Sequence, residues 1–266
     1  MTKIGLVAGS GSLPLEFVRF AKERGEKVVV FALEGIASRE LDGLADKVHW
    51  LNLDQYKKFM FLLLTERIRR LAFVGKVEKS VIYNVDNYGR EVSEGFKGLR
   101  DKKDTSIFEG IKKHLGKVGI EVVEVTRYLS RLLPEKGVLS GTLPDSGVEE
   151  DISFGYDMAK KIAGMDIGQT VVVKGKSIVA VEAMEGTDAT ISRAGEVAGD
   201  GCVMIKVGRP NQDMRWDVPT VGPDTIAKLA ESRFSALAIE SGKMFLVEKE
   251  KMLKMADEAK ITIKVL

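Results

Sequence analysis

What most constrains the fold of this chain is a rhythm in its first half, where short apolar runs alternate with amphipathic stretches of helical length. Residues 3–8 and 27–32 are apolar runs of strand length, and the spacing predicts a helix over 12–24, with Leu15, Val18 and Ala21 on one face and Gly25 ending it. A second long helix is expected over 55–70 with a basic end that suits its dipole, followed by a strand over 71–77, a helix over 105–115 and a strand over 120–125. Strands alternating with helices imply a parallel sheet covered on both faces, a Rossmann-like domain. The stretch Leu132-Leu-Pro134-Glu-Lys-Gly137 breaks the rhythm, so an N-terminal domain is expected over 1–133 and a mixed α/β catalytic domain over 137–266.

In that second half a helix is expected over 148–164. Strands over 170–174 and 177–183 follow, joined by Gly175-Lys176 as a hairpin. The pattern continues with a helix over 187–197 carrying Thr187 as a candidate N-cap, a strand over 203–207, an irregular segment over 208–223, and a helix over 223–232 with short strands after it.

Charge excludes one class of partner. Forty-one basic against 39 acidic side chains leave a net charge of +2, with no basic excess to hold nucleic acid. Cys202 is the only cysteine; set before Val203-Met-Ile205 it reads as a core thiol, and it rules out an internal disulfide. No apolar run reaches the ~20 residues of a membrane span and no signal-peptide pattern opens the chain. A soluble cytoplasmic protein is expected, with any membrane contact peripheral.

Chemistry concentrates in three places. After the first strand comes Gly9-Ser-Gly11-Ser-Leu-Pro14, a turn that lets backbone approach a ligand and offers helix N–H groups to phosphate. Pro14 stands where a dinucleotide fingerprint needs its third glycine, and Glu34 is an ambiguous ribose-binding acid, which weakens a nicotinamide-dependent oxidoreductase. The second place is Glu182-Ala-Met-Glu185-Gly-Thr-Asp188, where a strand ends in three acids spaced three apart. Capping accounts for Asp188 alone, and an inward Glu182 needs a partner or a cation. The third is the proline-stiffened loop from Lys206 through Arg209, Gln212, Asp213, Arg215, Asp217 and Thr220 to Pro223. Arginines there suit phosphate oxygens, and aspartates suit Mg²⁺ or the activation of water. His49 and His114 lie apart, with no further ligands beside them, so neither a metal site nor a histidine-centred mechanism is expected.

Taken in order, Asp166-Ile-Gly-Gln169, Ala180-Val-Glu182-Ala-Met-Glu185-Gly-Thr-Asp188, Lys206, Gln212-Asp-Met-Arg215 and Asp217-Val-Pro-Thr-Val-Gly222 resemble the LpxI family of UDP-2,3-diacylglucosamine pyrophosphatases. Gly-Ser-Gly-Ser-Leu-Pro-Leu and Val74-Gly-Lys76-Val add to the likeness, which covers nearly the whole chain. The resemblance implies two domains with substrate between them and Mg²⁺- or Mn²⁺-assisted hydrolysis of the pyrophosphate to UMP and 2,3-diacylglucosamine 1-phosphate, a step of lipid A synthesis. By motif it implies Asp217 as the leading catalytic aspartate, with Asp213 and Asp188 beside it. Glu182, Glu185 and Asp188 would be metal ligands. Gly9, Gly11, Lys76, Arg193, Lys206, Gln212, Arg215 and Thr220 would be substrate contacts. Where the family often reads Gly-Asp-Asp, this chain has Lys102-Lys-Asp104, which keeps only Asp104 in view. The implied partner is a nucleotide-linked glycolipid, and peripheral membrane contact and a homodimer are compatible with it. The rivals are a related hydrolase of another nucleotide-linked substrate and a nucleotide-lipid binding protein without turnover; the density of acids argues against the latter, because carboxylates repel phosphate unless a cation intervenes.

Overall fold

The computed structural model describes residues 2–76, 104–215 and 218–266, with the side chains of 104–108 left aside. The chain divides into two compact units, one made mainly of residues through Ser130 and one mainly of residues from Arg131 onward. Labels below run over the described elements.

In the first unit β1 (Lys3–Ala8), β2 (Lys27–Leu33), β3 (Lys47–Leu51), β4 (Arg70–Val74) and β5 (Glu121–Val122) form a sheet in the order β3-β2-β1-β4-β5. All four pairings are parallel, as the alternating sequence pattern demands. The helices between them are α1 (Leu13–Glu23), a single turn α2 (Leu41–Leu44), α3 (Tyr56–Thr65), α4 (Asp104–Lys117) and a short α5 (Thr126–Leu129). Leu63 of α3 and Leu115 of α4 pack with Val29, Phe31, Leu51 and Leu71 of the strands in one buried cluster. Helix α1 buries Leu15, Phe17, Val18 and Ala21, the face read from the sequence.

The strands expected over 71–77 and 177–183 end at Val74 and Val181, and two further elements depart more from prediction. Helix α3 ends at Thr65, and Arg67 adopts a left-handed φ of 55°. The run Arg67-Ile-Arg-Arg70 therefore leads into β4 instead of forming a basic helix end, because Ile68 is drawn into the core. The strand expected over 120–125 pairs only at Glu121–Val122 before the chain turns into α5.

The second unit is built on β6 (Gly137–Val138), β7 (Thr170–Lys174), β8 (Ser177–Val181), β9 (Val203–Lys206), β11 (Ala236–Ile239) and β13 (Thr262–Val265), in the order β6-β13-β11-β9-β7-β8. Strands β9, β11 and β13 are parallel, whereas β6, β7 and β8 run antiparallel to their neighbours, so the sheet is mixed. A separate parallel pair joins β10 (Thr220–Val221) to β12 (Phe245–Leu246). The helices are α6 (Ser146–Gly164), α7 (Thr187–Ala198), α8 (Pro223–Glu231) and α9 (Lys249–Glu258), the last of which the sequence pattern did not signal.

Side chains alternate across this sheet with period two. Val171, Val173, Val203, Ile205, Ala236 and Ala238 pack with Ile152, Ala159 and Ala163 of α6. Val172, Met204, Leu237 and Ile263 pack on the other face with Ile191 of α7, Leu229 of α8 and Met252 of α9. Cys202 is buried in that second cluster, and burial pushes its thiol upward, away from the reactive thiolate. The β7–β8 turn is Gly175-Lys176, both at φ 57°, and the two backbone N–H groups donate to the Asp151 carboxylate at 2.9 and 2.5 Å. Among the described residues, no helix is long and apolar enough to cross a membrane.

Candidate active site

In open α/β sheets, ligands bind outside the carboxyl ends of parallel strands. In the second unit β9 ends at Lys206, and antiparallel β7 begins beside it, with Thr170 paired to Lys206. Glu182 follows the end of β8, and its N–H donates to Thr170 O at 2.9 Å. One sheet edge thus collects Lys206, Thr170 and Glu182, and Gly186 at the N-cap of α7 brings Thr187 to them.

The result is a continuous hydrogen-bonded chain. Lys206, 8% exposed, donates from Nζ to Thr187 Oγ1 at 2.7 Å and to Thr170 Oγ1 at 3.2 Å. Thr187 passes the interaction on, donating to Glu182 Oε1 at 2.7 Å, while the Gln169 N–H donates to Glu182 Oε2 at 3.3 Å. Burial raises the Glu182 carboxyl, but the Lys206 charge and the bonds from Thr170, Thr187 and Gln169 outweigh it and hold the pKa below the ordinary glutamate value. Thr187 is therefore no cap. It occupies the first helical position, its hydroxyl bridges lysine to glutamate, and Gly186 at φ 83° takes the cap position.

The string 166–169 has a local reason to be there. A Cβ at Gly168 would lie 1.9 Å from Glu182 O, so only glycine lets this loop cross the glutamate backbone. Asp166, at a left-handed φ of 59°, meets Arg209 Nε at 2.9 Å. Arg209 begins a turn in which its N–H donates to Gln212 Oε1 at 3.0 Å and Gln212 N–H returns to Arg209 O at 3.1 Å. Gln169 Oε1 is buried with no hydrogen-bond partner among the described residues.

The other expected residues fall as follows. Glu185 receives the N–H of Ala183 at 3.1 Å and pairs with Arg193 at 2.8 Å, and Arg193 also donates to Val181 O. The carboxyl of Glu185 is lowered, first by its own backbone N–H and then by Arg193. Asp188 is exposed in the first turn of α7. Asp213 and Arg215 are half-buried, and Thr220 opens β10 with its hydroxyl donating to Val218 O at 3.4 Å. Asp217, expected from the resemblance to be the leading catalytic aspartate, lies outside the described residues, as do Lys102 and Lys103; of Asp104 only the helical backbone is described. Among the described residues, no group of three or more His, Cys, Asp or Glu side chains could hold a metal ion, so Glu182, Glu185 and Asp188 do not make a resident cage.

In the first unit the glycine turn lies where strand order reverses between β1 and β4. Gly9 N–H donates to Val74 O, and Ser10 and Lys76 exchange backbone bonds at 2.9 and 3.0 Å. A Cβ at Gly9 would stand 2.7 Å from Lys76 O, so this glycine serves close contact of two backbone segments. Lys76 is exposed beside it, and Gly11 has a left-handed φ of 93°. Glu34 pairs with Arg39, whose guanidinium lies 3.8 Å from the Trp50 ring centre, so the acid a ribose would need is already engaged. His49 bonds to Glu66 at 2.9 Å and His114 meets Tyr56 edge-on, structural contacts both.

A lysine–threonine–glutamate network stands at the carboxyl end of a parallel strand, followed by a loop of arginine, glutamine and aspartate, the mix of groups met in enzymes that act on anionic substrates. Comparison with known proteins makes the class specific. Residues 3–132 match the LpxI N-terminal domain and residues 135–264 the LpxI C-terminal domain. The chain belongs to the LpxI family. It is 28% identical to the UDP-2,3-diacylglucosamine pyrophosphatase LpxI of Caulobacter vibrioides, over 97% of this chain and 95% of that one. Among solved structures it is similar to the biotin carboxylase domain of a thermophilic 2-oxoglutarate carboxylase, with 18% identity and a TM-score of 0.28 over 65% of this chain and 35% of that one. It is also similar to phosphoribosylglycinamide synthetase from Anaerococcus prevotii, with 12% identity and a TM-score of 0.27 over 67% and 38%.

Proposed function

We propose that this chain hydrolyses the pyrophosphate of UDP-2,3-diacylglucosamine, releasing UMP and 2,3-diacylglucosamine 1-phosphate. The observation that carries the reading is the match to both LpxI domains, in order, together with a relative of that printed activity aligned over nearly its full length. In the reaction a water oxygen bonds to phosphorus, the bridging P–O bond breaks, and the proton of the water passes to a carboxylate. Asp217 is the proposed acceptor, with Asp213 and Asp188 as the other aspartates proposed for the reaction. Negative charge grows on the phosphoryl oxygens, and preoriented cationic donors stabilise it. Lys206 suits that task because its ammonium is already fixed by two threonines. Arg193, Arg215, Gln212 and Thr220 are the further proposed substrate contacts, with Gly9, Gly11 and Lys76 offered by the first unit.

A divalent cation, Mg²⁺ or Mn²⁺, would neutralise pyrophosphate charge when bound. The described carboxylates do not form a cage for it: Glu182 and Glu185 are engaged by Lys206, Thr187 and Arg193. Mg²⁺ commonly rests on one or two carboxylates and the substrate's own phosphates, so one or two of Glu182, Glu185 and Asp188, with Asp213 as a further candidate, are the proposed protein ligands. Mass spectrometry of small molecules that copurify with the protein tests the reading. A diacylglucosamine phosphate or its UDP-linked precursor supports it; a bound nicotinamide dinucleotide contradicts it.

A further inference from the structure

Two residues outside every motif named above grip the start of the site loop. Strand β11 ends at Ile239, paired with Lys206, and Glu240 follows it. Glu240 N–H donates to Lys206 O at 3.2 Å, and Glu240 Oε2 accepts the Gly208 N–H at 2.9 Å. Lys160, from the middle of α6, donates to both Glu240 oxygens at 2.8 and 3.0 Å and reaches Gly208 O at 3.4 Å. Tyr156, one turn earlier on α6, adds a long bond to Glu240 at 3.4 Å. Burial and the Glu240 charge both raise the Tyr156 phenol, so it remains a donor.

Both polar backbone atoms of Gly208 are therefore held by one ion pair, two residues beyond Lys206. The sheet does not need this contact for its register, since β9 is already paired on both sides through Lys206. What the pair adds is a fixed direction of departure for the segment carrying Arg209, Gln212 and Asp213. We propose that Glu240 and Lys160 are positioning residues for the hydrolysis, setting the first turn of the site loop against Lys206. This rests on the functional reading above.

Positioning errors of about 1 Å far from the chemistry can cost up to ~10²-fold in rate. The test measures kcat and KM for UDP-2,3-diacylglucosamine in Glu240→Ala, Glu240→Gln and Lys160→Met, beside amide hydrogen exchange of residues 208–213 in ligand-free protein. Asp151→Ala, which unties the β7–β8 turn, serves as a control for general destabilisation of the same unit. Glu240→Ala is expected to lower kcat about tenfold or more with KM little changed, and to speed exchange in 208–213 but not in α7. Glu240→Gln, which keeps an acceptor for Gly208, should recover part of both. A folded Glu240→Ala protein with kcat within about twofold of the parent, or a loss no greater than in Asp151→Ala, overturns the proposal. So does unchanged exchange, which is readable even if the parent protein has no turnover; lack of parent turnover by itself counts against the functional reading alone.

Discussion

Lys206 and Glu182 are joined through one atom: Thr187 Oγ1 accepts from Lys206 Nζ at 2.7 Å and donates to Glu182 Oε1 at 2.7 Å. Removing one end of such a half-buried, bridged pair leaves the other uncompensated, at a cost of about 1–3 kcal/mol, less than for a fully buried direct pair. Lys206→Met is expected to destabilise the second unit by that order in urea unfolding. Adding Glu182→Gln to Lys206→Met should restore part of the loss, because it removes the stranded charge. Thr187→Val, close in shape, should cost about 1–3 kcal/mol and lower kcat/KM by reorienting Lys206. Stability equal to the parent in Lys206→Met would contradict the pairing.

The lowered carboxyl of Glu182 gives this pair a pH signature. A group whose folded pKa lies below its unfolded value contributes stability above the unfolded pKa and loses it as pH falls through the folded one. Glu66 behaves alike in the first unit, held low first by its bond from Lys47, against burial, with His49 helping. Stability measured from pH 7 down to pH 3 should therefore fall, and Glu182→Gln and Glu66→Gln should each flatten part of that slope. A slope unchanged in both variants would show that neither carboxylate is linked to folding.

Metal dependence separates a resident ion from one that arrives with substrate. Exhaustive EDTA treatment is expected to abolish turnover and Mg²⁺ or Mn²⁺ to restore it. Calorimetry of the substrate-free protein with Mg²⁺ should show only weak binding, since no described carboxylate cage exists. Full activity after chelation would remove the cation from the reaction.

The strands and long helices were legible because apolar period and glycine punctuation are local. Lys3–Ala8, Thr170–Lys174 and the left-handed Gly175-Lys176 turn needed no tertiary information. Helix α3 was overrun because Ile68 is claimed by the core, a long-range fact. Helix α9 gives little sequence signal because its run Lys-Glu-Lys-Met-Leu-Lys-Met-Ala buries only Met252 and Ala256. At the site, the sequence indicated that Glu182 needed a partner but not which one. Thr187 looked like a cap and became the bridge to Lys206, nineteen residues away. Glu240 and Lys160 carried no signal, since a lone acid after an apolar strand and a lysine on an amphipathic helix are ordinary features.

Asp217 is the motif's proposed proton acceptor, and Asn has nearly its shape. Asp217→Asn should reduce kcat by orders of magnitude with unfolding behaviour unchanged. Replacing His49 and His114 by Gln should leave turnover within about tenfold, a loss under ~1.4 kcal/mol of transition-state stabilisation. A reversal of that order, in folded proteins, would move the chemistry to the histidines.

The most direct measurement incubates the purified chain with UDP-2,3-diacylglucosamine and Mg²⁺ and follows both products by chromatography and mass spectrometry. The account predicts UMP and 2,3-diacylglucosamine 1-phosphate in equal amounts, at a rate proportional to protein and lost in Asp217→Asn. Release of UDP with free diacylglucosamine would mean that the glycosidic bond, not the pyrophosphate, is cut. Tight binding of the intact substrate without either product would make the chain a binding protein, and either result would contradict the account.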